Sequence, residues 1–152
     1  MKLVTIFRAT KNTIHLNIQS PEVKIIVHDN FEVTLRVDGI VHVHFKANTC
    51  ITVELQDELE AIYNRITSQK RPFIFTGDEF VSITAKARGN AIVMAHRIPC
   101  SASAIVVNNL AQKIVADYYY KFNRPPEPYK VFKKMEEGLL WVQKNFDIPE
   151  CT

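Results

Sequence analysis

Residues 31–46 read FEVTLRVDGIVHVHFK, in which apolar and polar side chains alternate on both sides of Asp38-Gly39. A period of two predicts half-buried strands, because successive side chains of a strand point to opposite faces of the sheet. Asp-Gly is a strong hairpin signal, since both central residues of a type I′ turn need positive φ angles. The stretch therefore predicts two antiparallel strands, residues 31–37 and 40–46, joined by a tight turn.

Three weaker strand candidates precede this hairpin, at residues 3–9, 13–18 and 23–28. Lys11-Asn12 and Ser20-Pro21 separate them, and residues of these types favour turns. We predict that residues 2–46 form an antiparallel meander.

Downstream of the hairpin the spacing of apolar residues changes from two to a helical period. Leu55, Leu59 and Ile66 fall on one stripe of a helix predicted at residues 53–67. Thr52 is suited to be its N-cap, because its hydroxyl can accept a backbone N–H of the first turn.

Helices and strands alternate over the rest of the chain. Helical spacing predicts helices from Ser82 or Thr84 to about residue 97, at 110–122 and at 135–146, and apolar runs predict strands at 72–76, 103–107 and 129–132. This alternation favours parallel strands covered by helices. The sequence predicts an α/β fold with an α+β margin, in which one mixed sheet holds an N-terminal antiparallel meander followed by alternating helices and strands. No long linker divides residues 1–152, so we expect one domain.

The composition is that of a globular domain. The 152 residues are 47% hydrophobic and 23% charged, and 19 Lys+Arg against 16 Asp+Glu give a net charge of only +3. So small an excess of positive charge argues against a nucleic-acid partner, because proteins that bind nucleic acids use many Lys and Arg residues to neutralise phosphates. No apolar run approaches the ~20 residues of a membrane span. Three widely spaced cysteines without a C-x-x-C pair favour the reducing cytoplasm.

Six blocks of the sequence resemble a family of small uncharacterised bacterial proteins, itself similar to the STAS, or anti-sigma-factor-antagonist, fold. The most specific block is F-N-x-P-P-x-P-x-x-x-F at residues 122–132, followed by E-E-x-x-x-W at 136–141; the others lie at residues 38–46, 70–74, 87–88 and 103–107. The resemblance covers residues 31–146, and residues 1–22 are a possible family-specific extension.

The resemblance implies a STAS-like mixed sheet with helices and a non-enzymatic regulatory role, exercised through a protein partner or a homodimer. STAS regulators carry a phosphorylatable serine where a helix follows a buried strand, and Thr84 falls near that position with Ser82 beside it. The acidic residue and the glycine of the regulators' pattern are absent here. The residues themselves favour N-capping, because a hydroxyl at a helix start accepts an unpaired backbone N–H.

Five residues are candidates for the partner interface: Arg88, Tyr119, Tyr120, Arg124 and Pro126. A helix turns by about 100° per residue, so the three rings of residues 118–120 cannot all face the core. At least one ring should be exposed or cover a neighbour. The rings either form an interface or pack beneath the proline segment, since tyrosine suits both places.

Three further possibilities stay open. The protein could carry a small apolar or amphipathic ligand between helices and sheet, because related folds are similar to lipid-binding domains. His42 and His44 project from one face of a strand and are weak metal candidates, but two ligands do not make a site and we expect no cofactor. A Cys100–His96 pair would be the basis of an enzyme, yet no catalytic motif accompanies it, so we expect no enzymatic activity.

Overall fold

The computed structural model describes residues 4–10, 13–15 and 23–149. Ten strands are present in these ranges: β1 (Val4–Thr10), β2 (Thr13–His15), β3 (Val23–Val27), β4 (Phe31–Leu35), β5 (Val41–Phe45), β6 (Cys50–Ile51), β7 (Arg71–Gly77), β8 (Ser82–Ile83), β9 (Cys100–Val106) and β10 (Tyr129–Phe132). The four helices are α1 (Val53–Ile66), α2 (Ala85–Ala95), α3 (Leu110–Asn123) and α4 (Met135–Asn145). The other residues of the predicted extension at 1–22 lie outside the described residues. None of the helices in these ranges is long and apolar enough to cross a membrane.

Eight strands form one mixed sheet in the order β10-β9-β7-β5-β4-β3-β1-β2. Strands β3, β4 and β5 are antiparallel neighbours, whereas β5, β7, β9 and β10 run parallel. Helices α1, α2 and α3 connect these parallel strands, as the alternation predicted. The predicted α/β fold with a mixed sheet is confirmed.

The predicted meander is wrong for the first strand. β1 pairs with β2 in antiparallel and with β3 in parallel orientation. β2 pairs with one edge of β1 and β3 with the other edge, so β2 and β3 also run in opposite directions. Two reversals make β1 and β3 parallel, and neither period nor turn residues specify on which edge a returning strand pairs.

The hairpin turn is longer than predicted. Only Gly39 of the turn has a positive φ, 86°, so Asp38 does not adopt the type I′ conformation. Arg36 N–H donates to the carbonyl of Ile40 at 2.9 Å, and Gly39 N–H donates to the carbonyl of Arg36 at 2.9 Å. The loop therefore has three residues, the pattern of a type I turn followed by a left-handed glycine. The Asp38 carboxylate, which accepts from the Arg36 guanidinium and the Ile40 N–H, fixes this form.

The sheet has a core on each face. On one face α1 packs on β4, β5 and β7, and Tyr63 meets Phe73 edge to face with ring centroids 5.0 Å apart. On the other face Val142 of α4 packs against Ile74, Ala104 and Phe132. Periodic apolar residues on strands and helices fill both cores, as their spacing predicted.

A small parallel sheet of β6 and β8 was not predicted. It places Ser82 and Ile83 in a strand, so α2 begins at Ala85 and not at Ser82, and it ends at Ala95, two residues before the predicted end. A two-residue strand has no period to detect.

Candidate ligand cavity

A cavity of about 630 Å³ lies between the sheet and helices α1, α2 and α3. Large apolar side chains line it from both layers: Phe45, Phe75 and Ile105 from the strands, and Leu59, Met94 and Val115 from the helices. Its volume falls in the range of roughly 300–1,000 Å³ that is typical of small-molecule sites.

Small side chains on two helices account for the space. Ala91 and Ala95 of α2 and Ala111 and Ala116 of α3 all line the cavity. Because alanine has only a methyl group, these helices leave volume where larger side chains would complete the core. The arrangement can hold an apolar group of a ligand.

Helix α3 forms the outer wall of the cavity and packs weakly. No residue of α3 whose side chain the structure describes is fully buried, and Leu110 (70%) and Ile114 (59%) are exposed. Asn109 caps its N-terminus, since the Asn109 Oδ1 atom accepts from Gln112 N–H at 2.8 Å. Asn108 also donates a side-chain hydrogen bond to the carbonyl of Gly77. The helix is thus tied to the sheet at its start.

Few polar groups interrupt the apolar lining, and Gln56 is one whose hydrogen bonds are satisfied. Its Nε2 atom donates to the carbonyl of Ala87 and its Oε1 atom accepts from Asn90 Nδ2, both at 2.8 Å. Gln56 therefore joins α1 to α2.

Glu127 is the acidic residue among those that line the cavity. Its Oε1 atom accepts from Ser103 Oγ at 3.2 Å, while its Oε2 atom is buried without a hydrogen-bond partner in the described part of the chain. Pro125, Pro126 and Pro128 flank it and have no backbone N–H to offer. The sequence prediction missed Glu127 as a site residue. The available signal was a single acid within a run of prolines.

Tyr119 and Tyr120 line the cavity beside Glu127. Burial, and then the negative charge of Glu127, raises the pKa of Tyr119. Burial also raises the pKa of Tyr120, whose ring stacks on Tyr129 with centroids 4.1 Å apart. Tyr118 is 66% exposed, which confirms that the three rings do not share one face. Tyr119 and Tyr120 turn inward, together with Pro125.

The other candidate interface residues are divided between the cavity and the surface. Arg88 lines the cavity edge and is exposed, and its Nη1 atom donates to the carbonyl of Ile83 at 3.2 Å. Arg124 ends α3 with a left-handed φ of 38° and is exposed. Pro126 is also exposed, and neither it nor Arg124 lines the cavity.

Thr84 is the N-cap of α2. Its Oγ1 atom accepts from Ala87 N–H at 3.1 Å, as predicted for a cap. Ser82 lies in β8, is exposed and does not cap the helix. Phosphorylation of either residue stays a prediction.

His42 and His44 bind the Thr76 hydroxyl instead of facing each other as a ligand pair. His42 Nε2 and His44 Nδ1 lie 2.6 Å and 2.7 Å from Thr76 Oγ1, and His44 Nε2 lies 3.1 Å from Asp78 Oδ1. Burial, followed by the positive charges of His44 and Arg36, lowers the pKa of His42 to about 4. Within the described ranges no three His, Cys, Asp or Glu side chains are grouped as metal ligands.

Cys100 has the properties of a core residue. Burial raises the pKa of its thiol to about 12, and its Sγ atom lies 3.4 Å from Ser103 Oγ. His96 is exposed at the end of α2, and among the described residues it forms no hydrogen bond with Cys100. A raised pKa disfavours the thiolate that a nucleophile needs.

Comparison with known proteins gives a family without an assigned activity. A family model described as a domain of unknown function (DUF7793) matches residues 33–145, about three quarters of the chain. No curated protein matches the sequence. A solved structure from Shewanella loihica PV-4, described as an uncharacterized protein of the DUF3478 family with a SpoIIAA-like fold, has 16% sequence identity and a TM-score of 0.49, covering 83% of this chain and 99% of its own.

Proposed function

The chain belongs to the family described as a domain of unknown function (DUF7793), and because that description assigns no activity, we propose a function from the cavity. The protein binds a small apolar or amphipathic ligand between its sheet and helices α1, α2 and α3. The observation that carries this proposal is a cavity of about 630 Å³ with a largely apolar lining.

Binding would follow from the hydrophobic effect. Moving apolar ligand surface from water into contact with Phe45, Phe75 and Met94 is favourable by roughly 25 cal/mol per Å². The proposal takes the protein to act by binding and without catalysis. The buried, weakly acidic thiol of Cys100 supports this, and the unpaired cysteines support a cytoplasmic location.

Native mass spectrometry and thermal unfolding test the proposal together. The protein, purified gently from its own host, should carry a small-molecule adduct, and extraction with organic solvent should lower its Tm. Adding decan-1-ol at about 100 times its Kd should then stabilise the fold by about 2.7 kcal/mol. For a chain of this size that corresponds to a rise in Tm of about 5–11 °C.

A matched pair of variants locates the site. Ala91→Phe places a ring into the cavity from α2, and Ala61→Phe places the same ring on the exposed face of α1. We expect Ala91→Phe to lose the adduct and the decan-1-ol stabilisation, and Ala61→Phe to keep both. A bare wild-type mass, together with no Tm change on extraction or on adding decan-1-ol, would refute the proposal.

A protein-binding regulatory role is the second candidate, and the exposed face of α3 favours it. Leu110, Ile114 and Tyr118 recur at helical spacing there, and exposed apolar patches often mark interfaces. We take the partner to be a second copy of the chain, so Ile114→Glu should convert a dimer to a monomer in sedimentation velocity. A wild-type monomer at all concentrations would exclude this homodimer.

A further inference from the structure

One carboxylate oxygen of a cavity-lining residue has no hydrogen-bond partner in the described part of the protein. Glu127 lines the cavity, and its Oε1 atom accepts from Ser103 Oγ at 3.2 Å. Its Oε2 atom is buried and accepts no hydrogen bond from any described residue. A buried carboxylate oxygen without a donor is unfavourable, because it has given up its hydrogen bonds with water.

The prolines around Glu127 cannot donate a backbone hydrogen bond to this oxygen. Pro125, Pro126 and Pro128 are the nearest backbone neighbours, and none of them has an N–H group. Glu127 also forms no ion pair with a Lys, Arg or His side chain among the residues described. No cationic side chain among the described residues therefore pairs with this carboxylate, although Glu127 lines the cavity.

Aromatic rings also line the cavity. Tyr119 and Tyr120 line the cavity and meet edge to face with centroids 5.0 Å apart. Aromatic faces attract cations through the ring quadrupole, and a carboxylate attracts them through its charge. The cavity lining thus combines two features that favour a positive group.

We propose, on the basis of the function proposed above, that the cavity selects an amphipathic amine. Its apolar part would lie among α1, α2, α3 and the sheet, and its ammonium group would pair with the Glu127 carboxylate. The hydroxyl of an alcohol can also donate to the carboxylate, but only an ammonium adds the attraction between opposite charges, so an amine should bind better than an alcohol of equal length. An acid of that length would bring a second negative charge to Glu127 and should bind worst.

Three probes with the same chain length test this selectivity on the full-length protein: decylamine, decan-1-ol and decanoate, each below its micelle concentration in isothermal titration calorimetry. We expect decylamine to bind the wild type at least about tenfold tighter than decan-1-ol, because only its ammonium group adds a charge attraction to the Glu127 carboxylate. Glu127→Gln should abolish that preference while leaving decan-1-ol affinity within about threefold, because the apolar contacts are unchanged. Glu137→Gln on the exposed surface of α4 makes the same charge change as a control and should behave like the wild type.

The outcomes separate the two proposals. If decan-1-ol or decanoate binds the wild type as tightly as decylamine, or if Glu127→Gln keeps the preference for decylamine, the amine inference is wrong and the ligand-binding function stands. If none of the three probes binds, the ligand-binding function itself fails, and the amine inference fails with it. If Glu127→Gln does not fold, the order of affinities of the three probes for the wild type still decides whether the amine inference is right.

Discussion

Gly39→Ala should destabilise the protein strongly, because both the backbone conformation and the space around Gly39 exclude a side chain. Its φ of 86° lies in the region that L side chains rarely adopt. A Cβ atom built there would be 2.6 Å from both Ile148 Cγ2 and the carbonyl oxygen of Pro149, and 3.0 Å from Arg71 Nη1. The backbone oxygen of Pro149 cannot rotate away as a side chain can. The turn or residues 148–149 must therefore shift.

The expected loss of stability combines the cost of a positive φ with the cost of the steric clash. An L residue at positive φ costs roughly 1–2 kcal/mol, and overpacking of a well-packed site typically costs about 1–3 kcal/mol. Reduced freedom of the unfolded chain returns about 0.4–1 kcal/mol. We expect Gly39→Ala to lower the free energy of unfolding by about 1–4.5 kcal/mol. A domain of this size loses about 2–4 °C in Tm for each kcal/mol, so Tm should fall by about 2–18 °C.

Urea unfolding followed by the fluorescence of Trp141 measures this free energy. Gly89→Ala is the control, because nothing lies within 4 Å of the added Cβ and Gly89 is inside α2. That control should stabilise the protein by about 0.5–1 kcal/mol through helix propensity. Ile148→Ala should reduce the penalty of Gly39→Ala in the double variant, since it removes one clashing atom. A loss below about 1 kcal/mol for Gly39→Ala would refute the reasoning.

Three further predictions concern single side chains. Thr84→Ala should lower the free energy of unfolding by about 1 kcal/mol through loss of the α2 cap, and Ser82→Ala, which removes no cap, should stay within about 0.5 kcal/mol in the same urea assay. Because His42 has a pKa of about 4 in the folded protein and about 6.5 when unfolded, the unfolded state binds the extra proton between these values. Its stabilising effect is therefore complete above about pH 6.5 and is lost as the pH falls to about 4, with a slope of at most about 1.4 kcal/mol per pH unit. Urea titrations at several pH values should show a shallower slope for His42→Gln, and an equal slope in both proteins would contradict the assignment. Iodoacetamide at pH 8 should label the exposed Cys50 and spare Cys100, whose thiol has a pKa raised to about 12, and peptide mapping that finds Cys100 labelled in the folded protein would contradict its burial.

The sequence predicted the fold best where apolar spacing is regular. The alternation in residues 31–46 located β4 and β5, and the stripe of Leu55 and Leu59 located α1 to within one residue of its end. These elements were predictable because their own periodicity determines which face is buried. The parallel pairing of β1 with β3 depends on which edge of β1 is available, and no local sequence pattern specifies that edge.

The candidate site was only partly predictable. The sequence suggested a ligand between helices and sheet, but it singled out Tyr119 and Tyr120 as interface residues, whereas both line the cavity. The sequence could not predict the cavity itself, because the void depends on how the alanines of α2 and α3 pack against the sheet. Glu127 was overlooked for the same reason: an acid after two prolines reads as a surface residue until its burial is known.

The weak packing of α3 has a kinetic consequence. Helix α1 buries Leu55, Leu59, Ile62 and Ile66, whereas the described side chains of α3 are all at least partly exposed. Segments with little buried apolar surface open with a smaller free energy than the whole domain. We therefore expect α3 amides to exchange with deuterium faster than those of α1. A molecule in the cavity could then leave at the rate at which one helix detaches, while the eight-stranded sheet remains folded.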